Sequence, residues 1–405
     1  MNNADSKLKV VLPLGNSLLV EEGIIGLSVH GNRAQFQANY NDNGLDLSDR
    51  SDTVSFLYGA RLSKYFDMAI GLSQHHNPDL LADPRLGFSY ELKVAPSEIF
   101  AVGYGNEKIS ANNLTKLRYD GNWFEYPSFG ILNTQRIDLS ARLGKGFGVK
   151  LKHQQEKMEP DQTASLNQGS IYEKGERVEI EACYDLNGQA KLQGLFGREN
   201  NGQDVKYYED GSRFAYAQTD SSNIFSSLGM SWRLKDFDAE FSVSRSEIDL
   251  SGRGSLYSEK LPDVISNVDN IDKVADLDSR ITTNGCHFGL KGALSDRVAF
   301  NGKLSYLSML LDGDANIWNS WFFGAVKQLE NNYAAPFKQA DLLMGEIGLK
   351  YLLDDEMEAG YTFKQLVPVS VENSAAGDDS DYGSIDDSGV SSGGSRHTVS
   401  LTYYF

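Results

Sequence analysis

The chain has 405 residues, 40% of them hydrophobic, and a formal net charge of -18. No run approaches the roughly 20 consecutive apolar residues of a membrane-spanning helix, and so acidic a chain is a poor match for nucleic acid or anionic phospholipid. Thirty-nine Gly, twenty Tyr and twenty Phe against nine Pro favour sheets and turns over helices.

Met1 through Asp5 carry no basic and apolar signal region, so an exported protein is expected here as its mature chain. Leu8, Val10, Leu12 and Leu14 alternate, as do Ile25, Leu27 and Val29, and Pro13 fits only an edge. Residues 1–30 therefore read as an extra hairpin or a lead-in. The apolar phase changes between His30 and Arg33, which makes Arg33–Asn41 the first secure strand and 31–405 one continuous β-domain.

From there the chain reads as hairpins. Val54, Phe56, Tyr58, Ala60 and Leu62 turn at Tyr65–Asp67 into Met68, Ile70 and Leu72. Phe88 to Val94 passes Ala95-Pro96-Ser97 into Phe100, Val102 and Tyr104, and Ile137 to Leu143 passes Gly144 and Gly146 into Phe147, Val149 and Leu151. Val178 to Tyr184 meets Asn187-Gly188, a strong hairpin signal. Leu228, Met230, Trp232 and Leu234 turn at Lys235-Asp236 into Phe237, Ala239, Phe241 and Val243. Two further hairpins turn at Ser295-Asp296 and Asp354-Asp355. The terminal strand alternates Val399, Leu401, Tyr403 and Phe405 with Thr398, Ser400 and Thr402.

Seven tight hairpins with a strand at each end give an all-β chain of about 16 strands, or 18 with a hairpin in the first thirty residues. The terminal alternating strand ending on Phe405 resembles that of Gram-negative outer-membrane β-barrels, porins among them. That resemblance implies a closed antiparallel transmembrane β-barrel with short periplasmic turns and long extracellular loops, located in the outer membrane. It also implies that the last strand closes the barrel and carries an insertion signal. Strand number, even count and alternation agree with such a fold.

In a bilayer the apolar phase meets lipid and the polar phase meets the lumen. By phase, Arg61, Lys93, Arg142, Lys150, Lys152, Glu179, Glu181, Arg233, Asp238, Glu240, Lys303, Glu346, Lys350 and Lys364 face inward. Sixteen strands leave a water channel. The aromatic connection Ile109–Thr134 holds Arg118, Asp120 and Glu125, and by resemblance to porins it is the expected constriction. Val369–Arg396, rich in Ser, Gly and Asp, reads as a solvated loop that could bridge to lipopolysaccharide through divalent cations.

Cys183 and Cys286 have neither CxxC nor haem-attachment spacing, and Asp312, Asp314 and Asn316 fail the calcium-loop pattern at Ile317 and Phe323. There is no GxSxG, HExxH or phosphate-cradling loop, and His287 falls on a polar phase, so no enzyme activity and no cofactor are expected. The expected function is a porin-like channel for small hydrophilic solutes or ions. The alternatives are a sleeve holding a periplasmic partner such as a multihaem cytochrome, and a polysaccharide export channel. Outer-membrane lipids and lipopolysaccharide are the expected partners. Oligomeric state is left open.

Overall fold

The computed structural model describes 8–11, 17–20, 24–40, 43–63, 65–76, 85–97, 99–119, 122–144, 146–160, 170–209, 212–257, 271–321, 326–334, 339–354, 357–372 and 391–404. Strands β1 (Leu8–Val11) and β2 (Ser17–Val20) form a separate two-stranded sheet. The first half of the large sheet comprises β3 (Ile24–Tyr40), β4 (Asn43–Ser63), β5 (Phe66–His76), β6 (Arg85–Val94), β7 (Phe100–Tyr119), β8 (Asn122–Arg142), β9 (Phe147–Pro160) and β10 (Ser170–Asp185). It continues through β11 (Ala190–Glu209), β12 (Ser212–Leu234), β13 (Phe237–Tyr257), β14 (Ile271–Ser295) and β15 (Val298–Trp321). The remaining strands are β16 (Val326–Ala334), β17 (Gln339–Leu352), β18 (Met357–Glu372) and β19 (Ser391–Tyr404).

Each strand is antiparallel to its neighbours, and β19 pairs back onto β3 from Tyr404↔Gly26 to Ser391↔Asn39, which completes the ring. Sixteen strands make its wall, because β16 pairs only with the far end of β15 while the near end of β15 pairs with β17. A sheet with no free edge leaves no strand unpaired on either side, as a bilayer requires.

The turns at one end are short and chemically apt. Gly188 has φ of +74°, and the Asp185 and Asn187 carboxyl and amide oxygens accept from the backbone of Gly188 and Ala190 at 2.6 and 2.9 Å. Lys235 takes φ of +52° in the tight β12–β13 turn.

Three expectations change here. The register runs without a shift from Ile24 to Tyr40, so the apolar phase change near His30 does not mark a strand boundary. At the opposite end several strands run on instead of giving way to loops: β14 has 25 residues and β15 has 24. Ile109–Thr134 is one such continuation. Ile109↔Leu132 through Tyr119↔Asn122 is an unbroken β7–β8 ladder, and Gly44–Ser48 of β4 pair with Leu114–Arg118. The stretch extends the wall and is not an inward-folded loop. Its β-pairing was hidden because its residues do not alternate apolar and polar.

The two faces of the wall differ sharply. Outward rows such as Phe237–Phe241–Val243, Leu304–Tyr306 and Val399–Leu401 leave large apolar side chains exposed, Phe241 by 46% and Val399 by 58%. Along β14 the outward apolar row ends near Cys286. About 14 residues at ~3.3 Å each continue beyond it, a collar of sheet on the order of 45 Å along the strand. The collar's outward face is polar, with Arg280 donating to Asp249 at 2.7 Å and the His153 imidazole 2.9 Å from Glu176.

Candidate functional site

Inside the ring, the polar phases of adjacent strands converge into a charged ladder on β6–β11. Arg136 of β8 reaches Glu91 of β6 at 3.3 Å and Asp138 at 3.5 Å, and Lys150 of β9 meets Asp138 at 3.2 Å. Lys152 bridges Glu179 of β10 at 3.3 Å and also pairs with Glu181. Arg177 donates through Nε to Glu179 at 2.6 Å, contacts Glu199 of β11 at 3.3 Å and stacks 4.7 Å above the Phe225 ring. The spacing follows from the pleat: residues two apart share a face, and cross-strand partners sit within side-chain reach. Around the ladder lies a recess of ≈ 580 Å³ whose floor is built from the small residues Ala69, Ala101 and Gly103. A second recess of ≈ 780 Å³ reaches from Lys93 and Lys191 to Glu240 and Ser242.

The sequence-expected lumenal residues are spread over the wall. Lys93, Lys150, Lys152, Glu179 and Glu181 line these recesses. Arg233 lies 3.4 Å from Asp238 near the short-turn rim, where Arg142 is bonded through its backbone to Ile99. Glu240 and Lys303 share a register row with Glu346 and Lys364, and the last two pair at 2.8 Å. Lys350 donates to Glu358 at 2.8 Å. Arg118 and Glu125 lie on β7 and β8 in register with Trp123 and Lys116, Arg61 is opposite Asp67, and Asp120 lies outside the described residues. Glu91, Arg136, Asp138, Arg177 and Glu199 were not singled out from the sequence. Phase alone finds them: Glu91 shares a face with Lys93, Asp138 with Arg142, and Arg177 with Glu179.

A closed antiparallel ring, apolar outside and ion-paired inside, meets what a bilayer requires of a spanning sheet. The described strands form a closed antiparallel β-barrel. No protein family and no curated protein matches its sequence. Among solved structures the barrel is similar to a loop-deletion mutant of OmpT, an outer membrane protein of Vibrio cholerae, at 10% identity, TM-score 0.43, over 94% of this chain and 99% of that one. It is similar also to a bacterial polysaccharide outer membrane secretin, at 9% identity, TM-score 0.41, over 95% and 100%. A third is the CymD monoaromatic hydrocarbon channel, at 10% identity, TM-score 0.40, over 95% and 89%.

The non-enzyme expectation is withdrawn. It rested on missing linear motifs, and a barrel assembles its polar groups across strands rather than along the chain. Ser244 Oγ of β13 stands 2.8 Å from His287 Nε2 of β14, 43 residues away, within the range of a hydroxyl and its base.

Proposed function

We propose that the protein is a passive channel for small hydrophilic solutes or ions, with its short turns on the periplasmic side and its collar and longer connections outside the cell. The observation that carries this reading is the lumenal ladder, where acids and bases alternate around open recesses of ≈ 580 and ≈ 780 Å³ instead of filling the interior. Charges at a water-filled passage bias ion movement, and a ladder so nearly balanced gives weak selectivity. The outward apolar rows are the surface for outer-membrane lipid, and the polar collar above them faces lipopolysaccharide.

The test is planar-bilayer conductance of the purified, folded chain. Steady ohmic current is expected, and Lys150→Glu should move the reversal potential toward cation preference, more at 0.1 M salt than at 1 M, since the screening length falls from about 10 Å to about 3 Å. Folded protein that inserts and passes no current would sink the proposal.

A further inference from the structure

The recess of ≈ 780 Å³ lies between the ladder and the short turns, and its charges are not closed into pairs. Lys93 of β6, Arg142 of β8 and Lys191 of β11 line it, and among the described residues none of the three makes an ion pair. The acids around them are committed elsewhere. Asp138 holds Arg136 and Lys150, Glu91 holds Arg136, and Glu181 holds Lys152. Asp185, opposite Lys191 in register, accepts from the Gly188 backbone of its own turn at 2.6 Å, and Asp67, opposite Lys93, has an interaction of its own. Glu240, on the far rim, leans away: a Cβ at Gly289 would lie 2.7 Å from its Oε1, so the carboxylate lies over β14, on the side away from β11. The floor between the cations is small and polar. Arg142, Gly148, Cys183 and Gln193 form one register row, with Ser140 beside it and Lys191 two residues from Gln193 on the same face. At about 4.8 Å per strand, the stems of Arg142 and Lys191 stand on the order of 15 Å apart, a span suited to an anion with charge at both ends. The facing wall differs: there Glu346 holds Lys364 at 2.8 Å, and the inward positions toward the collar are apolar, Leu307 opposite Leu342 and Met344 opposite Leu366.

We propose that this recess binds small extended polyanions, solutes that carry two or more oxyanion groups. One end meets the Arg142 guanidinium, whose planar fork fits phosphate or carboxylate oxygens, and the other meets the Lys191 ammonium, with Lys93 adding to the field. The commitment to an anion comes from cations that no neighbouring acid holds, and the commitment to separated charges comes from their spacing. The proposal rests on the channel reading for access and names a solute class for it.

The experiment uses the full chain in zwitterionic phospholipid nanodiscs, with inorganic tripolyphosphate titrated calorimetrically against empty discs at constant low ionic strength. Saturable binding at one site is expected, with orthophosphate about tenfold weaker because it engages only one end of the recess. Arg142→Gln and Lys191→Gln should each weaken tripolyphosphate about two- to fivefold, the scale of an exposed ion pair. Lys364→Gln, on a cation already held by Glu346, should leave binding unchanged. No saturable binding, equal affinity for the two anions, or equal effects of Arg142→Gln and Lys364→Gln overturns the proposal. Bilayer current separates the two readings: conduction without tripolyphosphate binding rejects this inference alone, and binding without conduction rejects the channel alone.

Discussion

Phe241→Arg tests which face of the wall meets lipid. Phe241 stands outward on β13 with Met230 and Phe288 beside it in register, all three exposed by 41–47% in the isolated chain. An Arg on the lipid face near the bilayer midplane costs about 2–4 kcal/mol, less toward the interfaces. At about 1.4 kcal/mol per tenfold, that lowers the folding equilibrium constant roughly 30- to 800-fold. The loss of the Phe ring from the apolar row adds to the cost with the same sign. The neighbouring residue gives the control. Ser242 points the other way, into the recess of ≈ 780 Å³, so Ser242→Arg has room and water, and is expected to stay within about 1 kcal/mol of the parent. Equilibrium unfolding by guanidinium in phosphatidylcholine vesicles measures both. Equal costs, or a greater cost for Ser242→Arg, would refute the assignment of faces.

Asp138→Asn removes the negative charge shared by Arg136 and Lys150; with side chains 17–37% exposed it should cost about 1–3 kcal/mol, between buried and surface pairs. The same change should lower cation permeability in bilayers, and unchanged selectivity would remove Asp138 from the conducting path. Gly188→Ala puts a Cβ at φ of +74° and should cost about 1–2 kcal/mol by vesicle unfolding, with no effect on current. A double-mutant cycle on Arg233 and Asp238, 69% and 41% exposed, should return a coupling below about 1 kcal/mol. A larger coupling would mean the rim is drier than its exposure indicates.

The wall was legible wherever one face meets lipid, because there the period-2 pattern is obligatory: Phe237–Val243 and Met357–Phe363 are strands by alternation alone. Beyond the apolar belt both faces meet water, the pattern has nothing to satisfy, and strands look like loops. That is why Ile109–Thr134 read as a connection although it is paired throughout the described part of β7 and β8. The lumen was half legible for a related reason. Phase places Lys150 and Lys152 inward, but which acid each one meets depends on the register between strands, and a one-residue slip would turn each strand's inward set outward. Pairing Ser140 with Lys150 and Asp138 with Lys152 sets Asp138 diagonal to Lys150 and within its reach.

The same separation explains why the two lumenal walls differ without any motif to announce it. Inward residues are spared the apolar demand of the belt, so their composition is free to vary from one wall to the other. On β8–β10 that freedom is spent on Asp138, Lys150, Lys152 and Glu179, and on β15–β18 on Leu307, Leu342, Met344 and Leu366. An apolar surround fixes the outward set and thereby the fold, whereas the inward set is legible only row by row through the register.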